Sequence, residues 1–189
     1  ADKTAKPGTN RQRIKDFYLA GMDTVKLEKE GYAPIKPYLA EIDKIKTNAE
    51  LFKTLGRFHS KGIPGMFNFF VYADLKNSVQ NTQYFGQPQL GLPDKMFYTE
   101  AKYEKIREAY KKHLENMFSL IGHYPESAKK YADVVFDIES KMAEASMGRL
   151  ELRNQEAQYN KFTKTDFFKK NANIDFTTYL AAIGAKTPF

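Results

Sequence analysis

Three histidines, His59, His113 and His123, and the carboxylates Asp133, Asp137, Glu139 and Glu144 are the side chains in this 189-residue chain best suited to hold a metal or move a proton. A metal-binding helix face needs two imidazoles three or four residues apart, and none of the three has such a partner. His113 is followed by Leu-Glu-Asn-Met, so the second histidine of a zinc-peptidase helix is missing. His59 and His123 stand beside expected helix ends, where an imidazole commonly meets free carbonyls, and all three histidines read as structural. The four carboxylates fall on one expected helix. Asp137 with Lys141 makes a four-residue pair, which describes a solvated charged face rather than a general acid and base. Gly62-Ile63-Pro64-Gly65 has turn chemistry without a following Lys-Ser/Thr, Gly91 has no G-x-G context, and no Gly-x-Ser-x-Gly elbow occurs. With no cysteine, a disulfide framework, a thiolate metal site and cysteine catalysis are excluded together. Read for chemistry alone, the chain is non-catalytic.

Composition bounds the rest. Aromatic residues reach 14 %, all Phe and Tyr, which argues for a packed core and against disorder. No run approaches the roughly 18 apolar residues of a membrane helix, and the polar start ADKTAKPGTN has no signal-peptide core. A net charge of +7 invites a nucleic-acid reading. Only six of the 30 basic residues are Arg, however, and the lysines are scattered into pairs such as Lys111-Lys112, Lys129-Lys130 and Lys169-Lys170. That pattern reads as a solvated lysine surface. A basic helical module for nucleic acid or an anionic surface is the alternative.

The elements follow from periodicity. Residues 1–9 read as a flexible N-terminus and 10–189 as a single mainly α lobe with one small β-hairpin. A helix over 10–30, capped by Asn10, carries the stripe Ile14, Phe17, Tyr18, Gly21, Met22 and Val25. Pro34 and Pro37 open a second helix with Tyr38, Leu39, Ile42 and Ile45. Thr47-Asn48-Ala49-Glu50 is a capping box for a third, which ends near Lys61-Gly62. The period then changes to two. A strand over Phe67–Ala73, apolar on both faces and so expected to be covered on both, pairs with one over 82–87 through a turn at 76–81. Two long antiparallel helices, 100–121 and 125–150, form the spine, and short helices follow near 165–170 and 175–183.

Between hairpin and spine lies QPQLGLPDKMFYTE, residues 87–100. Leucines are unusual in an irregular connection that runs over a surface. Pro88 and Pro93 fix φ at two points, and Gly91 is expected to supply a conformation closed to other residues. Leu90 and Leu92 would then plug the space between hairpin and helix.

Phe67 to Ser78 reads F-x-F-x-V-x-x-D-x-K-N-S, with Asp74, Lys76, Asn77 and Ser78. It is followed by Gln87-Pro88-x-Leu90-Gly91-Leu92-Pro93-Asp94-x-x-x-Tyr98. This run resembles the neprilysin family of zinc metallopeptidases, which includes the endothelin-converting enzymes and the bacterial PepO oligopeptidases. Phe17-Tyr18-x-x-x-Met22-Asp23 with Gly31, Lys105-Ile106-Arg107-x-Ala109-Tyr110, Glu139-x-x-Met142-Ala143-x-x-Ser146, Arg153-Asn154 and Tyr159-Asn160-Lys161 extend the likeness over roughly 10–183. Leu19-Ala20-Gly21 stands where animal members carry a cysteine, as in a bacterial member without disulfides. The resemblance implies a fragment: most of a non-catalytic helical lobe that caps a cavity, admitting peptides and excluding folded proteins. Zinc and the H-E-x-x-H helix would belong to the parent protein, and no catalytic or metal residue is carried onto this chain. The implied partners are the catalytic lobe of the same polypeptide and peptide substrates, with no nucleic acid and no membrane contact. The implied location is extracytoplasmic.

Overall fold

The computed structural model describes residues 5–185, so residues 1–4 of the N-terminal stretch expected to be flexible lie outside the described residues. The chain forms two compact units, Ala1–Asp43 and Lys44–Phe189. The first contains α1 (Asn10–Gly21), α2 (Thr24–Glu30), a 3-10 turn at Ala33–Ile35 and α3 (Lys36–Ile42). The single helix expected over 10–30 is broken at Met22-Asp23. The Asp23 carboxylate accepts from the Lys26 N–H at 3.0 Å and starts α2, a cap set inside an apolar period. Thr9, rather than Asn10, caps α1 by accepting from the Gln12 N–H at 3.3 Å. The apolar stripe stands exposed: Phe17 is 85 % accessible, and Ile14, Tyr18, Met22 and Val25 are exposed as well.

The second unit runs α4 (Asn48–His59), β1 (Asn68–Asp74), β2 (Asn77–Gly86), α5 (Met96–Thr99), a 3-10 turn at Ala101–Tyr103, α6 (Glu104–Leu120), α7 (Pro125–Ala145), a 3-10 turn at Glu151–Arg153, α8 (Gln155–Gln158), α9 (Lys164–Lys170) and α10 (Phe176–Ala182). It is mainly helical with one two-stranded antiparallel sheet, and α6 and α7 pack together across a short connection as the expected spine. The capping box holds: Thr47 Oγ1 accepts the Glu50 N–H at 3.2 Å while Glu50 Oε2 accepts the Thr47 N–H at 2.9 Å. Both long helices are shorter than their apolar period. The 3-10 turn takes 101–103, and α7 stops where Ser146 turns extended.

The first core cluster joins Phe52 and Leu55 of α4 to Tyr179 and Leu180 of α10, with Phe67, Phe69 and Phe85 of the hairpin region laid on top. Phe85 meets Phe167 and Phe176 at ring-centroid distances of 4.9 Å. His59 belongs to this core. Its Nδ1 lies 2.7 Å from the Tyr179 hydroxyl, its ring stands edge-on to Phe67, and burial pushes its pKa down. It is an aromatic packing group rather than a cap of free carbonyls. His123 likewise packs on Tyr131 and Phe118, with ring centroids 4.9 and 5.8 Å away.

The hairpin differs from its expected form in two ways. Its turn is the tight Leu75-Lys76 connection, not 76–81. The register jumps between the Ala73–Asn81 and Asp74–Asn77 pairs, so residues 78–80 bulge out of β2. Side chains explain the shift: Asp74 Oδ1 accepts the Lys76 N–H at 2.9 Å, and the Tyr84 hydroxyl accepts the Leu75 N–H while donating to the Ala73 carbonyl. Nor is β1 covered on both faces. Phe70 and Tyr72 are exposed, and Phe70 stacks on Tyr84 at 5.1 Å.

Gly56 sets the distance between α4 and α10. A Cβ there would meet Ala182 Cβ and the Tyr179 carbonyl oxygen at 2.8 Å each. Gly56→Ala is therefore expected to destabilise the second unit by about 1–3 kcal/mol, the usual range for overpacking. Urea denaturation reads it, and a loss under about 0.5 kcal/mol would contradict this seating of α10.

Candidate functional site

The structure gathers most of the singled-out motif residues into two corners. The first is the connection 87–98. Glu139, read in sequence as part of a solvated face, points inward from α7. Its Oε2 accepts the hydroxyls of Tyr98 and Tyr110, both at 2.9 Å. Tyr98 in turn accepts the backbone N–H of Leu92 at 2.9 Å. One carboxylate thus fixes α5, α6 and the Leu-Gly-Leu-Pro turn to α7. Burial, then the adjacent carboxylate, pushes both phenols well above the ordinary tyrosine value, so they remain donors. The carboxylate is committed to two hydroxyls.

Leu92, at 8 % exposure, packs with Tyr98 and Ala143, and Leu90, Phe97, Tyr110 and Phe136 close round them. The leucines therefore plug the space between α5 and the two long helices, rather than between hairpin and helix. Gly91 is required for room and not for its dihedral, since it is not among the glycines with positive φ. A Cβ there would lie 1.8 Å from the Tyr110 hydroxyl oxygen and 2.6 Å from the ring carbon bearing it.

The far side of the connection is tied to the exit of α7. The Gln87 amide pairs with Met147 as a strand would: Nε2 donates to its carbonyl at 3.2 Å, and Oε1 accepts its N–H at 2.9 Å. Lys95 Nζ donates to the Ser146 carbonyl at 2.7 Å. Asp94 accepts from the Met96 and Arg149 backbone N–H groups, each at 3.2 Å, and Arg149 Nη2 reaches the Pro93 carbonyl at 3.4 Å.

The second corner is Asp74, 1 % exposed. Besides the Lys76 N–H, Oδ1 accepts the Tyr159 hydroxyl at 2.9 Å, and Oδ2 accepts Lys161 Nζ at 2.6 Å. Lys76 pairs with Glu156 and lies over the Tyr159 ring at 4.8 Å. The Asp-x-Lys and Tyr-Asn-Lys motifs are therefore two halves of one latch between the hairpin tip and the segment after α8. The Lys161 ammonium, then the Lys76 backbone amide, hold the Asp74 carboxyl down to about 2.

The remaining motif residues lie outside both knots. Asn77 bonds Gln80 at 3.2 Å, and Ser78 is exposed in the bulge. Pro88 is half-buried. Asn160 reaches the Ala157 carbonyl at 3.4 Å, and Arg153 is exposed. On α7, Asp133 pairs with Lys111 of α6 at 2.8 Å, and Asp137 pairs with Lys141 at 2.7 Å as spacing indicated. Tyr110 and Glu139 were the residues whose roles sequence reasoning missed. Their only signal was the family-like run in which each stands.

The described residues do not fit a zinc ion. No three of their His, Asp or Glu side chains gather as a ligand set, and two of the three histidines are packed among aromatic rings.

The N-terminal-domain model of Peptidase family M13 matches residues 1–188, and the chain belongs to this family of zinc metallopeptidases, as the Phe67–Ser78 and Gln87–Tyr98 runs suggested. It is 30 % identical to a neutral endopeptidase of Lactobacillus helveticus over 77 % of this chain and 22 % of that one. It is 24 % identical to endothelin-converting enzyme 1 of Cavia porcellus, over 96 % of this chain and 25 % of the enzyme. The zinc metalloprotease Zmp1 of Mycobacterium tuberculosis, solved with an inhibitor, superposes with a TM-score of 0.85 at 30 % identity, over 96 % of this chain and 28 % of that one. The chain thus spans about a quarter of the length of these relatives.

Leu92→Ala is expected to destabilise the fold by about 2–4 kcal/mol, the cost of a buried leucine. Chemical denaturation measures it, and a loss under about 0.5 kcal/mol would show that the turn is not a plug. The Asp74 latch has a pH signature. Its folded pKa lies below the unfolded value of about 3.9, so its stabilisation is full above that value and is lost as pH falls toward about 2. Hydrogen exchange in 155–163 is expected to accelerate across that window, and Asp74→Asn should flatten the response. An unchanged acid profile in Asp74→Asn would rule the latch out.

Proposed function

We propose that this chain is the cavity-capping, non-catalytic part of a bacterial, extracytoplasmic zinc metalloendopeptidase, and that it limits access by size. The zinc chemistry, in which the metal and a glutamate activate water against a peptide carbonyl, would reside elsewhere in the longer polypeptide. The contribution of these residues is steric. Tyr98, Tyr110 and Glu139 keep the spine and its connecting turn rigid, so that the wall neither yields to a folded protein nor closes on a peptide.

The observation that carries the reading is surface area. The chain exposes 14281 Å². Two compact units of these sizes would expose about 11,000 Å² together, which leaves an excess of roughly 3,000 Å². An excess of that order is at least one partner's share, about 1,000–2,500 Å², of a large permanent interface. Large apolar side chains stand exposed in each unit, Phe17 and Val25 in the first and Val79, Leu120 and Tyr124 in the second. Family membership and the quarter-length coverage support the rest of a longer polypeptide as the covering partner.

The test uses the native full-length polypeptide. Chelator-sensitive cleavage of short peptides is expected, with a folded protein left intact. Gly91→Ala, which forces Tyr110 off Glu139, is expected to raise cleavage of a larger unfolded substrate relative to a short peptide. Absence of peptidase activity would defeat the enzyme reading. Equal cleavage of folded protein and peptide would defeat the size limit alone.

A further inference from the structure

A cleft of about 850 Å³ opens between β2 and the segment after α8, within the range of ligand-binding cavities. Every residue from 81 to 85 lines one wall and every residue from 158 to 164 lines the other. A strand that offered only a face would contribute alternate residues. A contiguous run brings backbone groups of β2 to the cleft, and Val71 and Asp74 of β1 line it too, so the cleft takes in the sheet face as well as the outer edge of β2. That edge is open. The sheet has two strands, and among the described residues Asn77–Gly86 makes no backbone–backbone hydrogen bond outside the hairpin. An open edge beside an aromatic floor, here Phe167 and Phe168 with Leu180, is a template for another strand.

The charges argue against a small anion. Lys161, at the mouth of the cleft, is committed to Asp74, and Lys164 lies over the Phe168 ring at 5.6 Å. What the cleft offers is main-chain donors and acceptors along one side and apolar rings beneath. We propose that it holds an extended segment of the same longer polypeptide, from outside residues 1–189, paired to β2 as a third strand. This inference rests on the cavity-capping reading, in which the rest of a longer polypeptide covers this surface. The latch fits the role: by holding Tyr159 and Lys161 against the hairpin tip, Asp74 keeps the second wall at a fixed distance from the strand edge.

Amide hydrogen exchange is measured on the full-length polypeptide. Amides in 81–85 that face away from β1 should exchange at least about tenfold more slowly than the exposed amides of 78–80 in the same sample. A photo-crosslinking residue placed at Asn81, which is exposed, should join a segment outside 1–189 of the same molecule. Crosslinking to an added peptide substrate would overturn the proposal in favour of a substrate groove, and an intermolecular crosslink would do so in favour of self-association. Equal exchange with no crosslink would overturn it as well. Peptidase activity is assayed on the same full-length sample. A size-limited peptidase with a free β2 edge therefore defeats only this inference, whereas an inactive protein defeats the reading beneath it.

Discussion

The second unit depends on a half-buried carboxylate that faces its neighbouring tyrosines. Glu139 collects two tyrosine hydroxyls, and one of these collects a backbone amide from an irregular turn. Hydrogen bonds to a charged acceptor are stronger than neutral ones. The bonds bring together three helices and a loop around the small apolar cluster of Leu92, Tyr98 and Ala143. On α7 only Ala128, Ala132 and Ala143 are buried, and α6 buries no residue fully. With so thin a core, polar knots carry a share of the positioning that leucines would carry in a more compact domain.

The second knot works by the same physics at a different place. Asp74 organises its own turn through the Lys76 amide and then reaches 85 residues along the chain to Tyr159. A tight turn and a long-range tether are therefore set by one side chain. This also explains why the hairpin tip is bulged: the register gives way so that Asp74 can face the segment after α8 while Tyr84 closes the turn from within.

Much of this was legible in the sequence, and the limits are physical. The capping box at Thr47, the two-helix spine, the hairpin and the short terminal helices follow from local pattern, because caps and periodicity are local. The break at Asp23 did not, since the apolar stripe runs through it unchanged and only the side-chain cap interrupts the helix. The covered strand was misread because periodicity reports which face is apolar, not what lies over it. Glu139 was hidden for a related reason. A carboxylate on a helix with charged neighbours looks solvated until tyrosines from two other elements arrive. Gly91 was assigned the wrong virtue, as a loop glycine suggests an unusual dihedral, whereas a close approach from another helix leaves no local trace.

That close approach makes Gly91 and Tyr110 a single unit of inheritance. The hydroxyl occupies the volume that any larger residue at 91 would need, and it does so because Glu139 holds it there. Neither position can drift alone. A side chain gained at 91 demands a ring lost at 110, and with it one of the two bonds that hold the spine to its turn. Descendants of this sequence can cross that gap only by changing both residues at once or by passing through a weakened intermediate.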